Sequence, residues 1–116
     1  MRKVVQNLSN TWLLLIFLSF IPCLKENKTL NEIIIDEAEL NDTDVKVLCA
    51  GLCDNHTIKK VSLNKNQFTN KILFDILNAI TKSRSIKYFD IDKSDFSLID
   101  KKEIEMALKK NFQLRK

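Results

Sequence analysis

The chain has 116 residues, 45% of them apolar and 29% charged, and a net charge of +4. That length holds one domain, and the balance is that of a globular chain rather than a disordered one. Gly51 and Pro22 are alone of their kind, which excludes a fold of glycine-built hairpins.

Arg2 and Lys3 precede an apolar run from Trp12 to Leu24. A basic start followed by such a run has the form of a signal or anchor sequence, and is shorter than the ~20 residues a membrane-spanning helix needs. Residues 1–26 are therefore set apart as an apolar N-terminal segment. It is either a signal or anchor making membrane contact through Trp12 to Leu24, or a helix capping the rest of the chain.

From residue 27 to 116 the chain repeats. LNEIIIDEAEL from Leu30, IKKVSLNKNQF from Ile58 and IKYFDIDKSDF from Ile86 start 28 residues apart. Each fits the pattern L-x-x-L-x-L-x-x-N-x-L, with isoleucine, valine or phenylalanine standing in at several places. Alternation predicts a short strand in each, with buried triplets Leu30/Ile33/Ile35, Ile58/Val61/Leu63 and Ile86/Phe89/Ile91. A further buried position follows at Leu40, Phe68 and Phe96.

The second half of each unit reads as a helix. Leu48, Ile76 and Ile104 share one column, and Leu52, Ile80 and Leu108 the column four residues on, which is one helical face. Gly51, Ala79 and Ala107 form a column of small residues. Asn41-Asp42-Thr43-Asp44 and Ser97-Leu98-Ile99-Asp100 carry N-cap signals for the first and third helices. Asn55, Ser83 and Asn111 fall just before the next strand, and Leu114-Arg115-Lys116 begins another strand in register, as in an array cut short. Upstream, Phe20, Leu24 and Asn27 fall in the columns of Leu48, Leu52 and Asn55, which supports the capping-helix alternative for the N-terminal segment.

One strand and one helix cannot bury their own apolar face, and stacking supplies the missing surface. The expected fold is therefore α/β: a leucine-rich-repeat solenoid, a short horseshoe segment of three strand–helix units with a parallel sheet.

A unit of 28 residues with a full helix after the strand resembles the ribonuclease-inhibitor-like leucine-rich repeats, from Asn27 to Lys116. Within that group the stretch from Asn55 to Asp92 is most similar to the C-terminal repeats of tropomodulins. It has the N-x-T-x-K-K lead-in at Asn55 to Lys60, a constant spacing, and no glycine in the loop after Phe68. The resemblance implies capping of actin-filament pointed ends, tropomyosin binding and a cytoplasmic or cytoskeletal location. No segment looks like the tropomodulin N-terminal tropomyosin- and actin-binding region. Two alternatives stand beside it: a secreted or membrane-tethered recognition protein built from the same repeats, and a fragment of a nucleotide-sensor receptor, although nothing resembles a P-loop.

Cys49, Cys53 and His56 have a spacing that puts three metal ligands on one helical face. Cys49, however, shares a column with Leu77 and reads as a core thiol, and no fourth ligand is in view, so neither metal nor cofactor is expected. Four N-x-S/T sequons, at Asn7, Asn27, Asn41 and Asn55, matter only in a secreted chain. Asn27 and Asn55 also share a repeat position where asparagine ends a helix or starts a turn. His56 lacks a nucleophile partner, and Asp90 with Asp92 are ordinary polar strand residues, so the chain reads as a binding module rather than an enzyme. The lysines form no basic stripe interleaved with aromatics, so nucleic acid is not the expected partner. What remains is the concave face, with columns Glu32/Lys60/Tyr88, Ile34/Ser62/Asp90 and Asp36/Asn64/Asp92. These nine residues are the expected protein-binding surface, with Tyr88 as its aromatic anchor.

Overall fold

Alternation puts every second strand side chain into the core, and the repeat period brings equivalent strands side by side. The computed structural model describes residues 2–4, 24, 28–91 and 96–113. Within them the strands β1 (Arg2–Val4), β2 (Glu32–Ile34), β3 (Lys60–Ser62) and β4 (Tyr88–Asp90) form one parallel sheet in chain order. Helices α1 (Asp42–Leu52), α2 (Leu73–Ser83) and α3 (Leu98–Gln113) follow β2, β3 and β4, and a short 3-10 turn at Asn70–Ile72 leads into α2. This is the expected α/β leucine-rich-repeat array.

Glu32, Lys60 and Tyr88 are paired across β2, β3 and β4, as are Ile33, Val61 and Phe89. The strand ahead of them keeps a different offset: Arg2 pairs with Glu32, farther apart in sequence than one repeat. Columns drawn at the repeat period therefore pass over β1. Leu24 is buried in the core, at the position of Leu52 and Ile80. The rest of the Trp12–Leu24 run lies outside the described residues. Among those that are described, no helix is long and apolar enough to cross a membrane.

The triplets and helix columns make one continuous core. Leu30, Ile33, Ile35, Ile58, Val61, Leu63, Ile86 and Phe89 are buried, as are Leu48, Leu52, Ile76, Ile80 and Ile104. Ile91 and Leu108, in the last unit, are only partly buried. Phe68 and Phe96, one repeat apart, meet edge to face with ring centroids 6.2 Å apart.

Polar ladders tie each unit to its predecessor. The Thr57 hydroxyl donates to the Leu30 carbonyl and Ser85 donates to that of Ile58. Asn55 Nδ2 donates to the Leu24 carbonyl at 2.7 Å, and Asn111 Nδ2 to the carbonyls of Ile80 at 2.9 Å and Ile86 at 2.8 Å. Between these two asparagines stands Ser83, one side-chain group too short for that reach. Its hydroxyl is buried with no hydrogen-bond partner among the described residues.

Buried Asn66 fastens the loop after β2. It donates to the carbonyls of Ile35 and Leu63 and accepts from the N–H groups of Ala38 and Leu40, each of the latter at 3.0 Å. Helix starts repeat as well. Asn41 and Ser97 form reciprocal caps with Asp44 and Asp100, at the predicted places. Thr69, in the same column, caps the 3-10 turn through Lys71 N–H. With glycine so scarce, turns that need positive φ use other residues. Glu37 (φ 54°) and Lys65 (φ 60°) share one repeat position and lie 3.7 Å apart as an ion pair, and Arg84 (φ 65°) ends α2.

Candidate partner-binding surface

Side chains at the third, fifth and seventh positions of each repeat segment, Glu32, Ile34 and Asp36 in the first, alternate away from the core and line the concave face of the sheet. The structure splits the predicted set. One group is absorbed in the sheet's own bonding. Ser62 is buried, and its hydroxyl donates to Asp36 Oδ1 at 2.8 Å. The same carboxylate oxygen accepts from the Asn64 backbone N–H at 2.8 Å, and Asn64 Nδ2 donates to the Ser62 hydroxyl at 3.3 Å. Asp36, Ser62 and Asn64 thus satisfy one another. Asp92 lies outside the described residues, and Ile34 is half-buried beside this network.

The other group faces solvent at least in part. Glu32, Lys60, Tyr88 and Asp90, with Asn31 and Lys59, line a shallow depression of about 360 Å³ on the concave side. Lys60 Nζ lies 4.0 Å from Asp90 Oδ2, a loose pair of half-exposed groups. Pairs of this kind contribute roughly 0–1 kcal/mol to folding, so both charges can exchange partners at little cost. Tyr88 is 54% exposed, a large amount of aromatic area turned toward water.

Sequence columns give no hint of the residue that supports Tyr88. Phe112, at the end of α3, meets it edge to face with centroids 5.6 Å apart and is likewise 54% exposed. Lys87 reaches over the Phe112 ring at 5.7 Å while donating to the Asn111 carbonyl at 2.7 Å. Phe112 shares its column with His56 and Arg84, so only pairing across the turn reveals it. The result is an exposed aromatic pair with a lysine on one flank and Asp90 on the other.

The remaining reactive side chains are dispersed. Cys49 is in the core, as its column predicts, and burial pushes its thiol far above the ordinary value. Burial also raises Cys53, which is half-buried and faces Asn78 of α2 at 3.9 Å. His56 Nδ1 donates to the Ser83 carbonyl at 2.7 Å. Among the described residues, no three His, Cys, Asp or Glu side chains are grouped to hold a metal ion. The sequon at Asn55 is buried, whereas Asn41 is exposed as a helix cap. The sequons at Asn7 and Asn27 lie outside the described residues.

No family model matches this sequence, and no curated protein matches it. Among solved structures, actin-binding site 2 of leiomodin-1 matches with a TM-score of 0.64 and 14% identity, over 96% of this chain and 80% of that one. The tropomodulin C-terminal domain from Caenorhabditis elegans matches with a TM-score of 0.56 and 13% identity, over 97% of this chain and 84% of that one. At such identities the likeness is one of fold, the small parallel sheet backed by helices described above.

Proposed function

We propose that this chain is a tropomodulin-like, actin-binding module of the cytoskeleton, a binding protein rather than an enzyme. The observation that carries the reading is the match of nearly the whole chain to a domain named as an actin-binding site. The strand–helix unit of 28 residues supports placement with the ribonuclease-inhibitor-like repeats. Tropomyosin and pointed-end capping belong to the same reading, as finer steps beyond actin contact. Within the module, Lys60, Tyr88 and Asp90 form the centre of the contact surface, with Glu32 at its edge and Phe112 behind it. Tyr88 and Asp90 are exposed and Lys60 is only loosely paired, while Asp36, Ser62 and Asn64 are engaged with one another.

The test is co-sedimentation of the purified chain with actin filaments, alongside pointed-end elongation assays. Tyr88→Ala or Asp90→Lys should weaken binding by roughly tenfold, the size expected for an exposed aromatic or charged anchor. Ile34→Ala should weaken it less, and none of the three should change the circular dichroism spectrum. A chain that stays in the supernatant at saturating filament removes the actin reading. Binding that survives all three changes removes the concave face as the contact.

A further inference from the structure

The last described unit carries a surface that the concave-face reading leaves unused. In α1 and α2, the positions facing the following unit are apolar: Val45 and Cys49 in α1, Leu73 and Leu77 in α2. Their direction is fixed by Cys53, one turn beyond Cys49, which faces Asn78 of α2. In α3 the same two columns hold Lys101 and Glu105, both exposed. Anything that packs on the outer face of α3 therefore has to meet these two charges.

Nor is that face simply wet. An open groove of about 460 Å³ runs between β4 and α3, with Phe89, Ile91, Ile104 and Leu108 among its lining and Lys101 and Glu105 beside them. Leu98, which also lines it, is 79% exposed and extends the apolar lining to the mouth of the groove. Leu98, Lys101, Glu105 and Leu108 are spaced three, four and three residues apart, the spacing of a helix-pairing seam.

That seam is its own complement. When a second α3 runs antiparallel about a two-fold axis passing near Glu103, Leu98 falls opposite Leu108 of the second copy. Lys101 then falls opposite Glu105 of the second copy. Both pairs recur on the other side of the axis. A parallel copy would instead set like charge against like. We propose that this groove closes on a second copy of the chain, through an isologous antiparallel contact between the two α3 helices. The leucines supply the buried area, and the two lysine–glutamate layers fix direction and register, as single polar layers do in paired helices. A contact confined to one helix and one strand edge is small, so the dimer is a weak one.

Sedimentation velocity on the full chain, over about a hundredfold range of concentration, reads the association directly. The unsubstituted chain should shift from monomer to dimer across that range. Lys101→Glu and Glu105→Lys should each raise the dissociation constant at least about tenfold, since each sets two like-charged pairs at the axis. An equimolar mixture of these two variants should dimerise again, because the mixed pair brings opposite charges together. Restoration on mixing separates the proposal from a folding defect, which mixing would not repair. A chain that stays monomeric throughout, or a mixture that stays monomeric while both variants keep native circular dichroism, overturns it.

Discussion

Ser83 interrupts a ladder that asparagine completes on either side, and Ser83→Asn should close the gap. Asn55 and Asn111 each send Nδ2 to a carbonyl 31 residues back, at Leu24 and Ile80. The equivalent acceptor for position 83 is the Leu52 carbonyl, which already takes the Asn55 backbone N–H and keeps a second lone pair. Asn55 also uses Oδ1 to accept from the N–H groups of Thr57 and Ile58, so Ser85 and Ile86 offer equivalent donors to an asparagine at 83. Each new bond is worth roughly 0.5–1.5 kcal/mol net, and the orphaned hydroxyl that disappears costs about 1–3 kcal/mol in the native chain. Against this stands the strain of a larger group in a packed site, about 1–3 kcal/mol. The balance favours the variant by about 1–2 kcal/mol, or roughly 4–8 °C in Tm for a domain of this size. Urea unfolding followed by circular dichroism measures it, and the slope of the transition should not change. Ser83→Ala is the control, and removing a hydroxyl without a partner should raise stability by up to about 1–3 kcal/mol, less the packing contacts that the oxygen made. A loss of more than ~1 kcal/mol in Ser83→Ala would mean the hydroxyl is satisfied, and the reasoning would fail.

Asn66→Ala should destabilise the chain by about 2–4 kcal/mol in the same unfolding assay, because the Ala38 and Leu40 N–H groups lose their acceptor inside the fold. Leu63→Ala, at a fully buried triplet position, should cost roughly 2–5 kcal/mol by leaving a cavity between neighbouring units. Burial alone would raise the Asp42 carboxyl, yet the Thr69 backbone and side-chain bonds, with Lys71 and Lys46, outweigh it and hold the pKa below the usual value. That contribution is complete above the unfolded carboxylate pKa and is lost as pH falls through the lower folded value. Asp42→Asn should therefore have a lower urea midpoint at neutral pH, and the difference should shrink in strong acid. In thiol titration with a disulfide reagent, Cys49 should react only as fast as the chain unfolds, because burial keeps it protonated and covered. Reaction of Cys49 at the rate of a free thiol would place it outside the core.

The periodic part of this fold is legible in the sequence because stacking repeats one environment every 28 residues, so apolar columns such as Ile33/Val61/Phe89 report a shared interior. The caps at Asn41 and Ser97 are equally visible, since their bonds close within one helical turn. Contacts between unlike positions leave no such trace. Tyr88 and Phe112 occupy different columns and meet only because α3 returns to the sheet, and Asp36 reaches Ser62 across a unit boundary. Columns alone therefore present the concave face as uniformly free, although Asp36, Ser62 and Asn64 are spoken for. The offset of β1 is another case, since its pairing with β2 is longer in sequence than the period that reveals the other strands.

The ladders of Thr57 to Leu30, Ser85 to Ile58 and Thr69 to Asp42 each span a single unit boundary, and the other long-range side-chain bonds among the described residues reach no farther. Cohesion here is that of a stack rather than a knot. The last strand–helix pair can fray without disturbing the bonds inside its neighbour, so amide exchange should be slowest around Ile33 and Val61, where β2 and β3 are each flanked by strands on both sides. A pull on the C-terminus would peel units in turn, meeting one seam's resistance at a time.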